Sequence, residues 1–156
     1  MATTTLEAEA AAAEVEPVTA RKSLRVLIVE DEAISAICFE EAVHSLGHVV
    51  VETADTGNRA IAAAERHRPD LVLMDVRLRD GTDGVEAANV IRENWDIPSI
   101  FVTANSDPVT LARTKAARPL IDPLIKPVSP TLIRYALDHA GALLARALRP
   151  CGAVDG

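Results

Sequence analysis

A chain of 156 residues, 49% hydrophobic and 25% charged, accommodates one globular domain with a sizeable core and leaves no room for a second. Its formal net charge of -7 opposes phosphate backbones and anionic lipid, which excludes nucleic acid as a direct partner, and no run of about 18 apolar residues is present to span a membrane. Cys38 and Cys151 form neither a disulfide framework nor a metal-ligand spacing, so the sequence reads as cytoplasmic.

Residues 1–22 are rich in Ala, Thr and Glu, with too few branched apolar residues to build a core, and are expected to form a disordered arm. Glu7, Glu9, Glu14 and Glu16 argue against a signal or transit peptide there. Leu24 to Val29 is a short apolar run rich in β-branched residues, suited to a strand buried on both faces, and it ends on Glu30, Asp31 and Glu32. Ile34, Ile37, Cys38, Glu41, Ala42 and Leu46 then fall near helical spacing, and Gly47 stands where a helix C-terminal glycine belongs.

The alternation recurs. A strand is expected over His48 to Thr53, a helix near Gly57 to Arg66, a strand over Asp70 to Asp75, a helix near Gly84 to Asn94 and a strand over Ser99 to Thr103. A strand from Leu120 to Ile125 and a long helix from about Pro130 to Leu148 follow, leaving 149–156 as a flexible tail. Five strands, each followed by a helix, require crossovers that keep the strands parallel and cover both faces, which predicts a doubly wound five-stranded α/β sandwich of (βα)5 type.

In such folds ligands bind beyond the carboxyl ends of the strands. Those ends carry Glu30 and Asp31, Asp75, Thr103 and Lys126. Converging carboxylates repel one another and are tolerable around a cation, for which Mg²⁺ with its preference for hard oxygen ligands is suited. An ammonium at Lys126 and a hydroxyl at Thr103 could then stabilise the equatorial oxygens of a transferring phosphoryl group, leaving Asp75 as the nucleophile. Alone, Asp75 would read as a turn-capping acid, Thr103 as a β-former and Lys126 as a solvated cation.

In their order, Val-Leu-Ile-Val-Glu-Asp-Glu (26–32), Leu-Val-Leu-Met-Asp (71–75), Phe-Val-Thr-Ala (101–104) and Ile-Lys-Pro (125–127) resemble bacterial two-component response-regulator receiver domains over roughly Leu24 to Leu148. Ala54, Gly57 and Ala60 match the same pattern. The resemblance implies a flavodoxin-like strand order 2-1-3-4-5 and a receiver domain over 23–148. It implies Asp75 as phosphoacceptor, Asp31 and Asp75 as direct Mg²⁺ ligands with the backbone carbonyl of Arg77, and Glu30 acting through metal-bound water. It further implies that Thr103 and Lys126 grip the phosphoryl group and that Lys126–Pro127 is a cis peptide bond.

Two departures stand out. Pro123 occupies the place, three before the lysine, where the family commonly has a rotating aromatic residue, so the signal must leave through Thr103, the loop Ala104 to Asp107 or helix four. Alphaproteobacterial receivers of the FAT GUY type also lack that aromatic, and Phe101 to Ala104 distantly resembles their motif. The loop after Asp75 is one residue longer than usual to Gly84 and lacks the common proline. Arg77 within it is expected to fold towards Glu30 or Asp31 and to tune loss of the phosphoryl group.

The expected function is a stand-alone phosphorylation switch served by a sensor histidine kinase or phosphotransfer protein, acting on a separate downstream protein or as a phosphate sink. It would be no enzyme beyond its own phosphorylation and dephosphorylation. The alternative is a phosphorylation-independent pseudo-receiver. A haloacid-dehalogenase-type phosphatase is disfavoured by Arg77 where a second Asp is required. Arg77 and Arg79 likewise exclude an EF-hand over Asp75 to Glu86, Gly47 between His44 and His48 disfavours a zinc pair, and the glycines of 80–84 read as a turn. The last helix carries a stripe of Ile133, Ala136, Leu137, Ala140, Leu143, Leu144 and Ala147. Leu132, Tyr135 and Leu148 broaden it, which suggests a homodimer through helices four and five.

Overall fold

A computed structural model describes residues 23–147. The arm over 1–22, the tail over 149–156 and Leu148 lie outside the described residues. The elements are β1 (Arg25–Val29), α1 (Ala33–Ser45), β2 (Val49–Ala54), α2 (Gly57–His67), β3 (Leu71–Asp75), α3 (Gly84–Trp95), β4 (Ser99–Thr103), α4 (Pro108–Ala116), β5 (Leu124–Ile125) and α5 (Pro130–Ala147). All five strands pair in parallel in the order β2-β1-β3-β4-β5, as the resemblance implied. No described helix is long and apolar enough to cross a membrane.

The period-two alternation of strand side chains divides the core. Leu27, Val29, Val72, Met74 and Phe101 face α2 and α3, where Ala60, Ala63, Ala64, Val85, Ala88 and Ile91 complete one cluster. Val26, Ile28, Leu71, Leu73, Ile100 and Val102 face α1 and α5, where Phe39, Val43, Ile133 and Leu137 complete the other. Small alanines along α2 and α3 bring those helices close to the sheet, while the larger residues come from the strands.

Three sequence-derived expectations need correction. The first helix forms, and Gly47 adopts φ +82° just beyond its end, but Ile34 and Ile37 are 79% and 53% exposed while Ala36, Phe39, Ala42 and Val43 are buried. That helix is apolar nearly all round, so spacing could not choose its buried face. The fifth strand shrinks from Leu120–Ile125 to Leu124–Ile125, because Pro123 has no N–H for the ladder and restrains Asp122 before it. On α5, the inner part of the stripe (Ile133, Ala136, Leu137, Ala140) is buried, whereas Ala147 is exposed.

Helix α4, to which the sequence assigned no bounds, starts at Asp107, whose carboxylate accepts from the Thr110 N–H at 2.8 Å, with Pro108 in the first turn. The Lys126–Pro127 bond is cis.

Candidate functional site at the carboxyl edge of the sheet

The strand ladders bring the four segments to one place. The Glu30 N–H donates to the Ala54 carbonyl at 2.9 Å, the Val76 N–H to Val102 at 3.1 Å and the Lys126 N–H to Thr103 at 2.8 Å, so the carboxyl ends of β1, β3, β4 and β5 are held level. Gly84 closes the far side of the β3–α3 loop. Its N–H donates to the Val76 carbonyl at 2.7 Å, and a Cβ there would lie 1.9 Å from the carbonyl oxygen of Asp75. Only glycine admits so close a passage of α3 beneath β3.

Lys126 is the centre of the resulting cluster. Its Nζ lies 3.1 Å from Asp75 Oδ2, 3.0 Å from Glu30 Oε2 and 3.5 Å from Glu32 Oε1. Glu30 and Asp75 are buried and Asp31 is half-buried, and each of the three offers a carboxylate oxygen within 4.8 Å of the others. Glu30 Oε1 accepts from the Glu32 N–H at 3.1 Å, while Oε2, although close to the ammonium, has no hydrogen bond of good geometry.

The Lys126 ammonium does not offset the burial and mutual repulsion of these acids. Burial, then the charge of Asp75, push the Glu30 carboxyl up to about 7 against the opposing pull of Lys126 and the Glu32 N–H. Burial also works against the Lys126 ammonium, but its bonds to Glu30 and Asp75 prevail and raise it. A compact set of hard oxygen donors with an incompletely bonded buried carboxylate oxygen fits a small divalent cation such as Mg²⁺.

Of the residues singled out from sequence, Glu30, Asp31, Asp75 and Lys126 are brought together. Thr103 ends β4 beside them, but its hydroxyl donates to the Asn105 carbonyl at 3.2 Å and accepts from the Asn105 N–H at 3.0 Å. Arg77 does not fold over the acids: its N–H donates to Asp75 Oδ1 at 3.3 Å, its side chain is exposed, and its charge acts on Asp107. Arg79 takes the position expected of Arg77, its Nη2 donating to the main-chain carbonyl of Asp31 at 2.7 Å. The path of the longer loop decides which arginine returns, and spacing alone does not reveal that path.

Asp83 and Arg113 were also missed. Asp83 caps α3 through the Val85 N–H at 2.8 Å and pairs with Arg113 of α4. The cap was legible as Asp before Gly-Val-Glu, but the pair needed the bounds of α4. A surface cleft of about 460 Å³, lined by residues including Leu24, Arg68, Trp95 and Leu144, holds none of the acidic cluster.

Fold and site together define a doubly wound α/β module with an acidic cluster at the carboxyl edge of its sheet, and the family model described as response regulator receiver domain matches residues 26–138, so the chain belongs to that family. It is 41% identical over 80 residues to the phyllosphere-induced regulator PhyR of Methylorubrum extorquens, covering 51% of this chain and 30% of that protein. It is 37% identical over 116 residues to the transcriptional regulatory protein PdtaR of Mycobacterium tuberculosis, covering 74% of this chain and 56% of PdtaR. The crystal structure of the response regulator PhyR from Brucella abortus superposes with a TM-score of 0.71 at 33% identity over 87% of this chain and 55% of that one. The chain thus spans little more than half of these relatives at most.

Proposed function

We propose that this receiver domain is a phosphorylation switch in which Asp75 accepts a phosphoryl group from a sensor histidine kinase or a phosphotransfer protein. A carboxylate oxygen of Asp75 attacks phosphorus, the bond from phosphorus to the donor nitrogen breaks, and the electron pair leaves with the donor imidazole. Asp31 and Asp75, with the Arg77 carbonyl, would hold Mg²⁺ directly and Glu30 through water. When bound, the ion supplies positive charge to the phosphoryl oxygens.

Lys126 neutralises a further oxygen. Thr103 donates to another after its hydroxyl turns from Asn105. The observation that carries this reading is the Lys126 ammonium shared between Asp75 and Glu30 with Asp31 alongside, all at one sheet edge. The signal would then reach a separate protein, or the domain would act as a phosphate sink.

The test is intact-mass spectrometry after incubation with acetyl phosphate and Mg²⁺. One phosphoryl group per chain is expected in the wild type and none in Asp75→Asn or after chelation. Incorporation that survives Asp75→Asn sinks the assignment, and no incorporation or beryllofluoride binding by the wild type favours a phosphorylation-independent pseudo-receiver.

The same reading includes a homodimer through α4 and α5, supported by Ile125, Leu132 and Tyr135 at 38%, 41% and 62% exposure. Sedimentation of the beryllofluoride form should show a dimer that Tyr135→Glu converts to monomer. Indistinguishable sedimentation of the two would remove the α4–α5 interface.

A further inference from the structure

The Thr103 hydroxyl has one proton, given to the Asn105 carbonyl, and that bond must open before it can donate to a phosphoryl oxygen. Asn105 in turn leads to α4. Its Oδ1 accepts from the Asp107 N–H at 3.0 Å, and the Asp107 carboxylate accepts from the Thr110 N–H at 2.8 Å and from the Thr110 hydroxyl at 2.9 Å.

The other part of α4 is tied to the opposite side of the pocket. Arg113 Nη2 donates to Asp83 Oδ2 in a half-buried ion pair. Asp83 pairs through its main chain with Arg77, whose N–H donates to Asp75. Helix α4 therefore bridges the Thr103 side and the Asp75 side.

Among the described residues little else holds it. Thr114 is its one fully buried residue, and Val109 is 70% exposed. A helix with so small a buried face is placed by its polar ties and opens at low cost.

We propose that the Arg113–Asp83 pair is a latch that holds α4 in the arrangement belonging to the unphosphorylated domain, doing in this chain a part of the work that Pro123 cannot do. The proposal rests on the phosphoacceptor reading above. As the Thr103 hydroxyl turns to the phosphoryl oxygen, the Asn105–Asp107 turn is drawn with it and carries the start of α4. The tie one turn further on opposes that shift. A contact present in one of two states adds to the population of that state alone, so removing it favours the other.

Loosening the latch must then tighten binding of a phosphoryl mimic that Arg113 never touches. The measurement is an amide NMR titration of the full chain with beryllofluoride at fixed Mg²⁺. The chains compared are the wild type, Arg113→Gln, Asp83→Asn, the double variant and Arg92→Gln. Asparagine keeps the α3 cap while removing the charge, and Arg92→Gln removes an exposed pair with Asp96 as control.

Each single variant should bind about two- to fivefold more tightly, the range for a half-exposed ion pair. The double variant should match the singles, the control should match the wild type, and exchange of the amides over 109–116 should quicken in the unliganded variants. Unchanged or weaker binding in both single variants, or full additivity in the double, overturns the latch. If the wild type binds no beryllofluoride, the phosphoacceptor reading fails. If it binds and the variants do not tighten, the latch alone fails.

Discussion

At the start of β1 the Leu24 N–H donates to Nδ1 of His48 at 3.0 Å, which requires that nitrogen to be unprotonated. Burial holds the His48 imidazole below its usual range, and the charge of Asp138 offsets this in part. The unfolded chain therefore takes up its proton first, near pH ~6.5, so stability conferred by neutral His48 is present above that pH and lost as pH falls towards the depressed folded value. Urea midpoints taken from about pH 8 to about pH 5.5 should fall further for the wild type than for His48→Gln, whose oxygen can accept without titrating. Parallel curves would show that His48 carries no linkage.

The sequence showed none of this role, because pairing of His48 with Leu24 depends on strand register. Glu30, Asp31, Asp75 and Lys126 were legible only together, because each alone has an ordinary structural use and their order at the ends of successive apolar strands does not. Arg79 was not, since an arginine in a polar loop looks the same whether or not it reaches across 48 residues to Asp31.

Among the elements, α3 starts in close contact with the end of β3, and Gly84 is what permits it. The nearest obstacles to a Cβ at this position are the carbonyl oxygen and carbon of Asp75 at 1.9 and 2.9 Å and Val76 Cα at 3.0 Å, all backbone and unable to rotate aside. Gly84→Ala should destabilise the fold by about 1–3 kcal/mol or more, as overpacking does, and should slow labelling by acetyl phosphate because Asp75 is displaced. Val85→Ala, truncating a buried side chain in the same turn, should lower stability while leaving the labelling rate near that of the wild type. Equal labelling by the two variants at a temperature where both are folded would refute the displacement.

Strands β1 to β4 and helices α2 and α3 fall within about two residues of their sequence-derived bounds, because β1, β3 and β4 are buried parallel strands with nearly continuous apolar runs, the edge strand β2 carries a β-branched run, and these helices have one apolar face. Helix α4 and β5 escaped for opposite reasons. The helix has almost no buried face to generate a pattern, while the apolar run before Lys126 contains Pro123, whose backbone breaks the ladder.

At the scale of the whole molecule, alternation of strand and helix was enough to specify parallel pairing, two covered faces and the edge where the site lies. Strand order itself came from the family resemblance. Stability of the whole is linked to that edge, because the fold holds Glu30, Asp31 and Asp75 together around Lys126, and the unfolded chain does not.

A divalent cation that binds the folded chain alone must raise its stability by RT ln(1 + [L]/Kd), roughly 1.4 kcal/mol at ten times Kd. For a domain of this size that corresponds to a rise in Tm of about 3–6 °C. Added Mg²⁺ should produce such a rise in the wild type, sodium chloride of equal ionic strength should not, and Asp31→Asn should abolish most of it. Because the variant also relieves repulsion among the acids, its Tm in chelator should equal or exceed that of the wild type. If Mg²⁺ stabilises wild type and Asp31→Asn equally, or if sodium chloride reproduces the effect, the acids respond to ionic strength as a diffuse charge and do not form a cation site.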